Sequence, residues 1–424
     1  MILVLLSLLF HQTWSIEAWR PPPYSQYQSP QELDLDINQT VASLKSTSLL
    51  HPILLIPGFA ASSLEQQLEN KPIDHWWCSS SKSWHNAWIS LTSFLPEVIQ
   101  CWLSNFSPHC TPSSCSDSTG VTTRPISRYL GDTLAVEHLD PSFSWKTGYM
   151  YKFIETLERL GHGRGKKVFA FPYDWRHSMV YQRDEIYPKL KELIEYIYIK
   201  NNNTTVQLVS HSMGGLIGVD FLSKMTDDWK SKYISELVAV GPPFSGSSRS
   251  IKDLIAGNTY GVPTVSLELS RQLVFNWSSI STLSPRTWTF KESDVLAVVD
   301  DDVYTAHNLT LLFQHYNISS HVSFLKQQLY LIDQEVPPNV KLSVFGTSNL
   351  KVPHSFRFSK RSAVTEGWSK GDGTVSVSSM IDVLMSWSHH QSKKIDFFPV
   401  QGVDHSQYFM NAGFVKLLIQ YLGF

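Results

Sequence analysis

The sequence feature that most constrains this chain is a serine between an apolar run and a pair of glycines. Residues 206–209, Val-Gln-Leu-Val, predict a buried strand, and residues 216–225 predict a helix. Ser212 stands at the turn between them, with the small residues Ser210 and Gly214 two positions to either side. Small neighbours allow a sharp strand-to-helix turn, which exposes the serine hydroxyl as a nucleophile. Glycine is usual at both positions, so Ser210 departs from the pattern, and an ordinary strand–turn–helix is the alternative.

Two backbone N–H groups are candidates for stabilising an oxyanion beside this serine. The N–H of Met213 lies at the start of the predicted helix, where amides face a developing negative charge. Residues 51–58 form a continuous apolar run that ends in Pro-Gly and predicts a second buried strand. The loop after an early strand supplies the other donor in hydrolases of this kind. That loop begins with Phe59, our first choice, followed by Ala60; a plain β-turn is the alternative.

Apolar runs and amphipathic segments alternate along the chain. The runs that predict strands are residues 53–58, 168–171, 206–209, 237–241, 341–346 and 394–400. The segments that predict helices are residues 147–160, 184–199, 216–225 and 414–422. This alternation predicts an α/β fold with a mainly parallel sheet, helices on both faces, and functional groups at the carboxyl ends of the strands. A chain of 424 residues fits one large unit of this class with insertions.

A serine nucleophile needs a histidine base, and position along the chain selects the candidate. His405 directly follows the last predicted strand and would lie at the carboxyl edge of the sheet. His389 and His390 precede that strand and would lie at the opposite edge. We therefore predict that His405 is the base.

The histidine in turn needs a carboxylate that orients its ring. Asp372 follows the 341–346 strand and lies between two glycines, which let the backbone turn sharply and present the side chain. Asp333 precedes that strand, and Asp404 adjoins the base and should point away from it. Asp372 also completes the chain order serine, acid, histidine that α/β-hydrolases use.

Two stretches interrupt the alternation of strands and helices. Residues 75–120 hold five of the fourteen tryptophans: Trp76, Trp77, Trp84, Trp88 and Trp102. Such a cluster predicts an exposed apolar surface that binds lipid through Trp76, Trp77, Trp84 and Trp88; a small packed subdomain is the alternative. Residues 242–339 have only short apolar pieces and predict an inserted cap, with residues 245–262 as a mobile lid over the site.

The N-terminal residues predict entry into the secretory pathway. Residues 1–15 are apolar but too few to span a bilayer comfortably, which is typical of a signal peptide, although no positive residues precede the run. A buried first helix is the alternative. Residues 16–50 begin polar and proline-rich and predict a leader. Seven glycosylation sequons are consistent with a secretory glycoprotein: Asn38, Asn105, Asn202, Asn203, Asn276, Asn308 and Asn317.

The net charge limits the classes of partner that we expect, and the cysteine content indicates the cellular compartment. A net charge of -2 at pH 7 gives no basic field for nucleic acid. Cys78, Cys101, Cys110 and Cys115 fall in one stretch and predict two local disulfides in an oxidising compartment. A zinc site is the alternative, but the spacing contains no Cys-x-x-Cys pair. We predict no cofactor and no metal.

Several motifs together resemble the lecithin–cholesterol acyltransferase family, which includes lysosomal phospholipase A2. They run in order through most of the chain: residues 51–58 with Leu64-Glu65, Trp77-Cys78, residues 171–176 (Phe-Pro-Tyr-Asp-Trp-Arg), residues 211–215 (His-Ser-Met-Gly-Gly), residues 371–375 (Gly-Asp-Gly-Thr-Val) and Val403-Asp404-His405. The resemblance looks closest to the plant-like branch of acyltransferase-like proteins.

The resemblance implies an α/β-hydrolase with a cap, a lid and a small membrane-binding subdomain. The positions that match the family are Ser212, Asp372 and His405 for the triad, Phe59 and Met213 for the oxyanion donors, and Cys78 with Cys101 for the disulfide of the membrane-binding loop. Two features depart from the animal members. The loop after Gly58 is Phe-Ala-Ala-Ser-Ser, and Cys110 and Cys115 do not match the late disulfide of those enzymes.

The implied activity is that of a lipid acyltransferase and phospholipase A. Its expected partners are a phospholipid membrane or lipoprotein-like surface and an acyl-acceptor alcohol, such as a sterol or another lipid alcohol, or water. The expected location is extracellular or in the lumen of a lysosome or vacuole. A neutral-lipid lipase on the same residues and an inactive lipid-binding protein are the alternatives.

Overall fold

The structure of the protein is a computed structural model that describes residues 29–44, 51–88, 90, 93, 95, 98–111, 114–144, 146–259, 265–328 and 336–423. The strands are β1 (Ile53–Ile56), β2 (Leu64–Leu68), β3 (Lys82–Trp88), β4 (His109–Cys110), β5 (Cys115–Ser116), β6 (Val121–Pro125), β7 (Val168–Ala170), β8 (Val206–His211), β9 (Ile234–Val240), β10 (Ala297–Val299), β11 (Asp302–Tyr304), β12 (Leu342–Thr347), β13 (Leu350–Ser359), β14 (Ser362–Gly371) and β15 (Ile395–Val400). The α-helices are α1 (Pro30–Ala42), α2 (Ile99–Phe106), α3 (Leu134–Glu137), α4 (Tyr151–Arg159), α5 (Met179–Glu185), α6 (Tyr187–Lys200), α7 (Met213–Lys224), α8 (Asp227–Tyr233), α9 (Arg249–Ala256), α10 (Leu267–Phe275), α11 (Ser279–Thr282), α12 (Leu309–His315), α13 (Ser319–Gln328), α14 (Val377–His390) and α15 (Ala412–Tyr421).

A six-stranded sheet carries the rest of the fold, in the order β15-β12-β9-β8-β1-β7. Every neighbouring pair in it runs parallel. Strands β1, β7, β8 and β12 are buried along their whole length, which explains why the sequence shows continuous apolar runs rather than alternation. The six strands predicted from those runs are these six, so the predicted α/β fold is confirmed.

The first insertion, residues 75–120, is joined to the rest of the protein by strand pairing and by ion pairs. β3 pairs with β2, which pairs with β6, in an antiparallel sheet of three strands. Two disulfides lie in this region, as predicted: Cys78–Cys101, the pairing that the family resemblance implied, and Cys110–Cys115, a pairing that the sequence left open. Arg176, which is fully buried, bridges Asp174 at 2.6 Å and Asp117 at 2.8 Å.

The second insertion differs from the sequence prediction at its end. The described part of residues 242–339 holds α9 to α13 and the hairpin of β10 and β11. β10, however, pairs in parallel with β13, and β13 pairs with β14, so the sheet of this region uses residues 350–371 as well. Exposed and partly buried residues alternate along β14, as in a hairpin with one face in water. Such a strand has no continuous apolar run, and it was therefore not predicted.

The leader predicted for residues 16–50 contains a docked helix, α1. Ser29 caps its N-terminus by accepting a hydrogen bond from Glu32. Leu33 and Ile37 pack against Met410, so this part of the chain does contribute to the core. Asp36 pairs with Lys152, whose side chain is fully buried. The predicted signal peptide, residues 1–15, lies outside the described residues.

The predicted lid is only partly visible in the described chain. Within residues 245–262 the structure has helix α9, whose residues Ile251, Leu254 and Ile255 are buried; residues 260–262 lie outside the described residues. None of the described helices combines the length and the apolar character that crossing a membrane requires.

Candidate functional site

Ser212 occupies a strained turn between β8 and α7. Its backbone has φ 52° and ψ -126°, a region that residues with a side chain rarely adopt. The turn leaves the serine 9% exposed, at the floor of a cavity, although β8 before it is wholly buried. The structure therefore has the sharp turn that the sequence predicted at Ser212.

Close backbone approach explains the glycines around this turn. A Cβ on Gly214 would lie 2.4 Å from the carbonyl oxygen of Ile56, and a Cβ on Gly58 would lie 2.8 Å from Cβ of Ser212. Neither position has room for a side chain. Ser210, the departure from the usual glycine, is fully buried, and its hydroxyl donates to the Val238 carbonyl at 3.2 Å.

The structure brings Ser212, His405 and Asp372 together in one line of hydrogen bonds. His405 Nε2 lies 2.9 Å from Ser212 Oγ, and His405 Nδ1 lies 2.6 Å from Asp372 Oδ2. The carboxylate can only accept a bond, so Nδ1 carries a proton and Nε2 is left to accept from the serine hydroxyl. This is the arrangement in which a histidine can remove the proton of a serine.

The Asp372 carboxylate is held by backbone and side-chain donors. Its Oδ1 accepts from the N–H groups of Val375 at 2.7 Å and Thr374 at 3.1 Å. Its Oδ2 accepts from the Tyr408 hydroxyl at 3.4 Å in addition to His405. Burial and then the charge of Asp372 raise the pKa of Tyr408 well above its ordinary value, so this hydroxyl stays protonated as a donor. These contacts fix the orientation of a fully buried acid.

The rejected candidates that the structure describes lie where their positions along the chain predicted. Asp404 turns away to cap a short 3-10 helix, accepting from the backbone N–H of Ser406 at 3.1 Å. His389 and His390 end helix α14, before β15. Asp333 lies outside the described residues.

The two candidate oxyanion donors lie close to Ser212, one next to it in the chain and one in the wall of the same cavity. Met213 is the first residue of helix α7, so its N–H has no acceptor within the helix. Phe59 and Ala60 line the cavity beside Ser212. Ala60 has a positive φ of 58°, and its carbonyl accepts from Trp88 Nε1 at 2.9 Å, which fixes this loop.

The cavity above Ser212 has a volume of about 370 Å³ and a largely apolar wall. The residues that supply its apolar wall are Phe59, Trp88, Leu139, Ile280 and Leu283. On one side the wall carries polar groups from the second insertion and the loop after β14: Arg249, Asp253, Asn258 and Thr374. Arg249 donates to the Thr374 hydroxyl at 3.4 Å and forms no ion pair within the described part of the chain. The site therefore offers an apolar slot whose polar side carries the Arg249 guanidinium and the Asp253 carboxylate.

The predicted lipid-facing tryptophans occupy different environments. Trp76 is 86% exposed and Trp77 is 50% exposed, with their rings in edge contact at 5.6 Å. Trp84 is half-buried, and the Arg124 guanidinium covers its ring at 3.8 Å. Trp88 is only 6% exposed. Its ring packs against Trp102, Phe106, Trp175 and Trp277.

The prediction for Trp88 is therefore corrected. A ring that is buried among four other aromatic rings has no surface left to place in a membrane. Its Nε1–H is also satisfied inside the protein, by the Ala60 carbonyl. Trp88 belongs to the core and to the cavity wall.

Sequence reasoning missed two residues of the site, Tyr149 and His211. His211 precedes Ser212 and is fully enclosed, with Nδ1 2.6 Å from the Tyr149 hydroxyl and Nε2 3.0 Å from the His405 carbonyl oxygen. Burial, and then the nearby His405, lower the pKa of His211 well below its ordinary value. His211 directly precedes the serine in the sequence and could have been suspected. Tyr149 lies at the start of the segment predicted as a helix, residues 147–160, and that pattern gives no indication of a contact with the site.

Comparison with known proteins gives relatives over nearly the whole chain. The family model described as lecithin:cholesterol acyltransferase matches residues 84–334. The lysosomal phospholipase A and acyltransferase of Bos taurus is 30% identical over 363 residues, which are 84% of this chain and 87% of that protein. The phosphatidylcholine-sterol acyltransferase of Mus musculus is 27% identical over 363 residues, covering 84% of this chain and 81% of that protein.

Among solved structures, the crystal structure of the Tle4–Tli4 complex contains a chain with the same overall fold. It superposes with a TM-score of 0.50 at 11% identity, covering 88% of this chain and 98% of that one. At that identity the likeness concerns the fold alone. The family match spans more than half of the 424 residues, and we conclude that this chain belongs to the lecithin:cholesterol acyltransferase family.

Proposed function

We propose that this protein is a serine-dependent lipid acyltransferase and phospholipase A. It cleaves an acyl ester of a glycerophospholipid and passes the acyl group to an alcohol or to water. The observation that carries the proposal is the line from Ser212 Oγ through His405 to Asp372, with bonds of 2.9 and 2.6 Å, at the floor of an apolar cavity. The relatives named as phospholipase and acyltransferase support the same reaction class.

In the first half of the reaction, Ser212 Oγ attacks the ester carbonyl carbon while His405 Nε2 takes its proton. Asp372 stabilises the imidazolium that forms. The N–H groups of Met213 and Phe59 donate to the oxyanion of the tetrahedral intermediate. When that intermediate collapses, the ester C–O bond breaks and His405 gives its proton to the leaving lysophospholipid oxygen. The acyl group remains on Ser212.

In the second half, an acceptor hydroxyl attacks the acyl-serine carbonyl. His405 removes the acceptor's proton and returns it to Ser212 Oγ as the acyl bond breaks. An alcohol yields a new ester, and water yields a free fatty acid. The apolar wall suits an acyl chain and lipid alcohols, which is why we propose both outcomes.

The cation at the cavity side favours a phospholipid over a neutral lipid as the acyl donor. Arg249 and the Thr374 hydroxyl lie 3.4 Å apart at the cavity edge, and guanidinium groups bind phosphate oxygens strongly. Within the described part of the chain Arg249 has no carboxylate partner to compete with a phosphate. We infer that this pair contacts the lipid phosphate.

The membrane partner is proposed to bind Trp76 and Trp77. Their exposed rings form a compact apolar projection, with Trp77 stacked on His75 at 4.5 Å. The first insertion, residues 75–120, would then be the membrane-binding subdomain and residues 242–339 the cap. Two disulfides and the lysosomal and sterol-acyltransferase relatives support the secretory pathway, with an extracellular or lysosomal destination.

The test is product analysis by mass spectrometry after incubation with phosphatidylcholine vesicles, with and without an added lipid alcohol or sterol. We expect lysophospholipid and fatty acid without the alcohol, and lysophospholipid with the new ester when it is present. Ser212→Ala is the matched control and should give neither. A wild-type protein that releases no lysophospholipid, but cleaves triacylglycerol emulsions, would be a neutral-lipid lipase instead.

Two further measurements separate the alternatives. A fluorophosphonate probe should label the wild-type protein and leave Ser212→Ala unlabelled; an unlabelled wild-type protein would be a lipid-binding protein without catalysis. Arg249→Gln should slow cleavage of phosphatidylcholine by about tenfold while sparing a short uncharged ester, because one charge-assisted bond contributes ~1.5 kcal/mol or more. Equal losses on both substrates would contradict phosphate recognition by Arg249.

A further inference from the structure

Three separate segments of the site are joined through two buried side chains, Tyr149 and His211. The Gly58 N–H donates to the Tyr149 hydroxyl oxygen at 3.1 Å. That hydroxyl lies 2.6 Å from His211 Nδ1, and His211 Nε2 lies 3.0 Å from the His405 carbonyl oxygen. The chain of bonds thus runs from the loop after β1 to the turn that carries His405.

The groups at the two ends of this series of hydrogen bonds fix which atom is the donor in each bond. A backbone N–H can only donate, and a carbonyl oxygen can only accept. His211 Nε2 must therefore carry its proton and donate to the His405 carbonyl, which leaves Nδ1 to accept from the Tyr149 O–H. The Tyr149 oxygen in turn accepts from Gly58. One neutral tautomer of His211 satisfies all these groups.

Burial keeps both side chains neutral, which is the state that these hydrogen bonds require. Tyr149 is 6% exposed and His211 is 4% exposed. Burial raises the pKa of Tyr149, and burial together with His405 lowers the pKa of His211 well below its ordinary value. Neither group changes charge across the neutral pH range, so the pair is suited to hold its neighbours in place and not to exchange protons.

We propose that Tyr149 and His211 are positioning residues for the acyl transfer, an inference that rests on the proposed function. Gly58 directly precedes Phe59, the proposed oxyanion donor, and a bond to its N–H orients the loop that carries that donor. The bond to the His405 carbonyl holds the backbone of the base. Tyr149 and His211 therefore set the distance between the two groups that must act on one ester carbonyl together.

The central test compares Tyr149→Phe with Tyr187→Phe on a short-chain soluble ester. Tyr187 is also buried, and its hydroxyl donates to Asp220 at 2.7 Å, away from the cavity. We expect Tyr149→Phe to lower kcat by about tenfold to a hundredfold with KM nearly unchanged, because small misplacements of reacting groups cost up to about a hundredfold. Tyr187→Phe should lower the unfolding temperature to a similar degree and leave kcat unchanged.

Two substitutions of His211 test its two hydrogen bonds separately. In His211→Gln an amide N–H can still reach the His405 carbonyl, whereas in His211→Asn a side-chain oxygen can still accept from Tyr149. Each should retain more kcat than His211→Ala. Adding Tyr149→Phe should further slow His211→Asn, in which the bond to Tyr149 survives, and should hardly change His211→Gln. If Tyr149→Phe does not fold, the comparison of the single variants His211→Gln, His211→Asn and His211→Ala still decides the question.

The outcomes separate this inference from the function on which it rests. If the wild-type protein neither cleaves the ester nor labels with a fluorophosphonate at Ser212, the proposed function fails. If the wild-type protein is active and a folded Tyr149→Phe keeps kcat within twofold, the function stands and the positioning role is refuted. A loss that falls on KM, or one matched by Tyr187→Phe, would equally overturn it by making the pair merely structural.

Discussion

The carboxyl edge of the parallel sheet and the tryptophan segment, residues 76–102, differ in how position along the chain relates to position in the fold. At the sheet edge, Ser212, Asp372 and His405 are far apart in sequence yet form consecutive hydrogen bonds. In the tryptophan segment, Trp76 and Trp88 are close in sequence yet are 86% and 6% exposed. In neither region does the separation of two residues along the chain indicate whether they share an environment in the fold.

The difference has a physical cause in each region. Parallel strands end at a common edge, so a residue just after a strand is placed by the sheet whatever lies between the strands. The tryptophan segment has one strand, β3, and one helix, α2, within its described residues, and its ends are joined by Cys78–Cys101. Each ring there takes the environment set by its own contacts, as Trp88 does through Ala60.

The first prediction tests the sheet edge, and its effect is the largest. Asp372→Asn should lower kcat by about ten-thousandfold on any ester, because an amide at this position favours the wrong tautomer of the base. The backbone N–H groups of Thr374 and Val375 can still donate to the amide oxygen, so folding should be preserved. Steady-state kinetics and circular dichroism give the two readouts. A near-normal rate would assign the acid's role elsewhere, with Asp404→Asn the next variant to measure.

The same contrast explains what the sequence could and could not predict. The six strands of the parallel sheet were predictable because burial on both faces leaves continuous apolar runs, and Ser212 and His405 followed from their places after β8 and β15. Asp372 was assigned to the end of the 341–346 strand, but it directly follows β14, which belongs to the other sheet. β13 and β14 were not, because one face of the hairpin is in water and its pattern is mixed. Composition predicted one environment for Trp76 and Trp88, since only tertiary contacts distinguish them. Tyr149 reaches the site by a contact between distant segments that no local pattern records.

The second prediction concerns the buried end of the tryptophan segment. Trp88→Ala should destabilise the protein by about 3–5 kcal/mol, the usual cost of emptying a large aromatic site in a core. Its ring contacts Trp175 at 4.9 Å and Trp277 at 5.7 Å, so the cavity wall above Ser212 should loosen as well. Denaturant unfolding and soluble-ester activity are the measurements. A variant as stable as the wild-type protein would place Trp88 at the surface after all.

The third prediction extends the comparison to a buried group of the second insertion, His321 on α13. It is fully buried between the Ser281 hydroxyl at 2.8 Å and the Phe275 carbonyl at 2.9 Å, and burial lowers its pKa to about 4. The unfolded chain therefore binds a proton first as the pH falls. The contribution of neutral His321 to the free energy of unfolding is complete above pH 6.5. It is lost between pH 6.5 and about 4, at up to ~1.4 kcal/mol per pH unit.

His321→Gln should remove this dependence, because an amide offers both bonds and does not titrate. The measurement is the free energy of unfolding at pH 7 and at pH 4.5, and the slope between them should be shallower in the variant by up to one proton. The exposed His389, changed to Gln, is the matched control and should leave the slope as it is. An equal slope in His321→Gln and the wild-type protein would show that this histidine does not govern acid stability.

The last prediction concerns the exposed end of the tryptophan segment, where the effect is smallest and appears only at a membrane. A half-inserted aromatic ring buries about 80 Å², worth ~2 kcal/mol at ~25 cal/mol per Å². Trp76→Ser should therefore weaken binding to phosphatidylcholine vesicles by roughly thirtyfold and leave the unfolding temperature and the hydrolysis of a short soluble ester unchanged. Trp368, 57% exposed on β14, provides the control: Trp368→Ser removes a similar ring from a different surface and should keep vesicle binding. Salt should matter little, because a net charge of -2 leaves little attraction to screen. If Trp76→Ser binds vesicles as tightly as the wild-type protein, or if Trp368→Ser loses as much binding, the lipid surface is not the exposed end of the tryptophan segment.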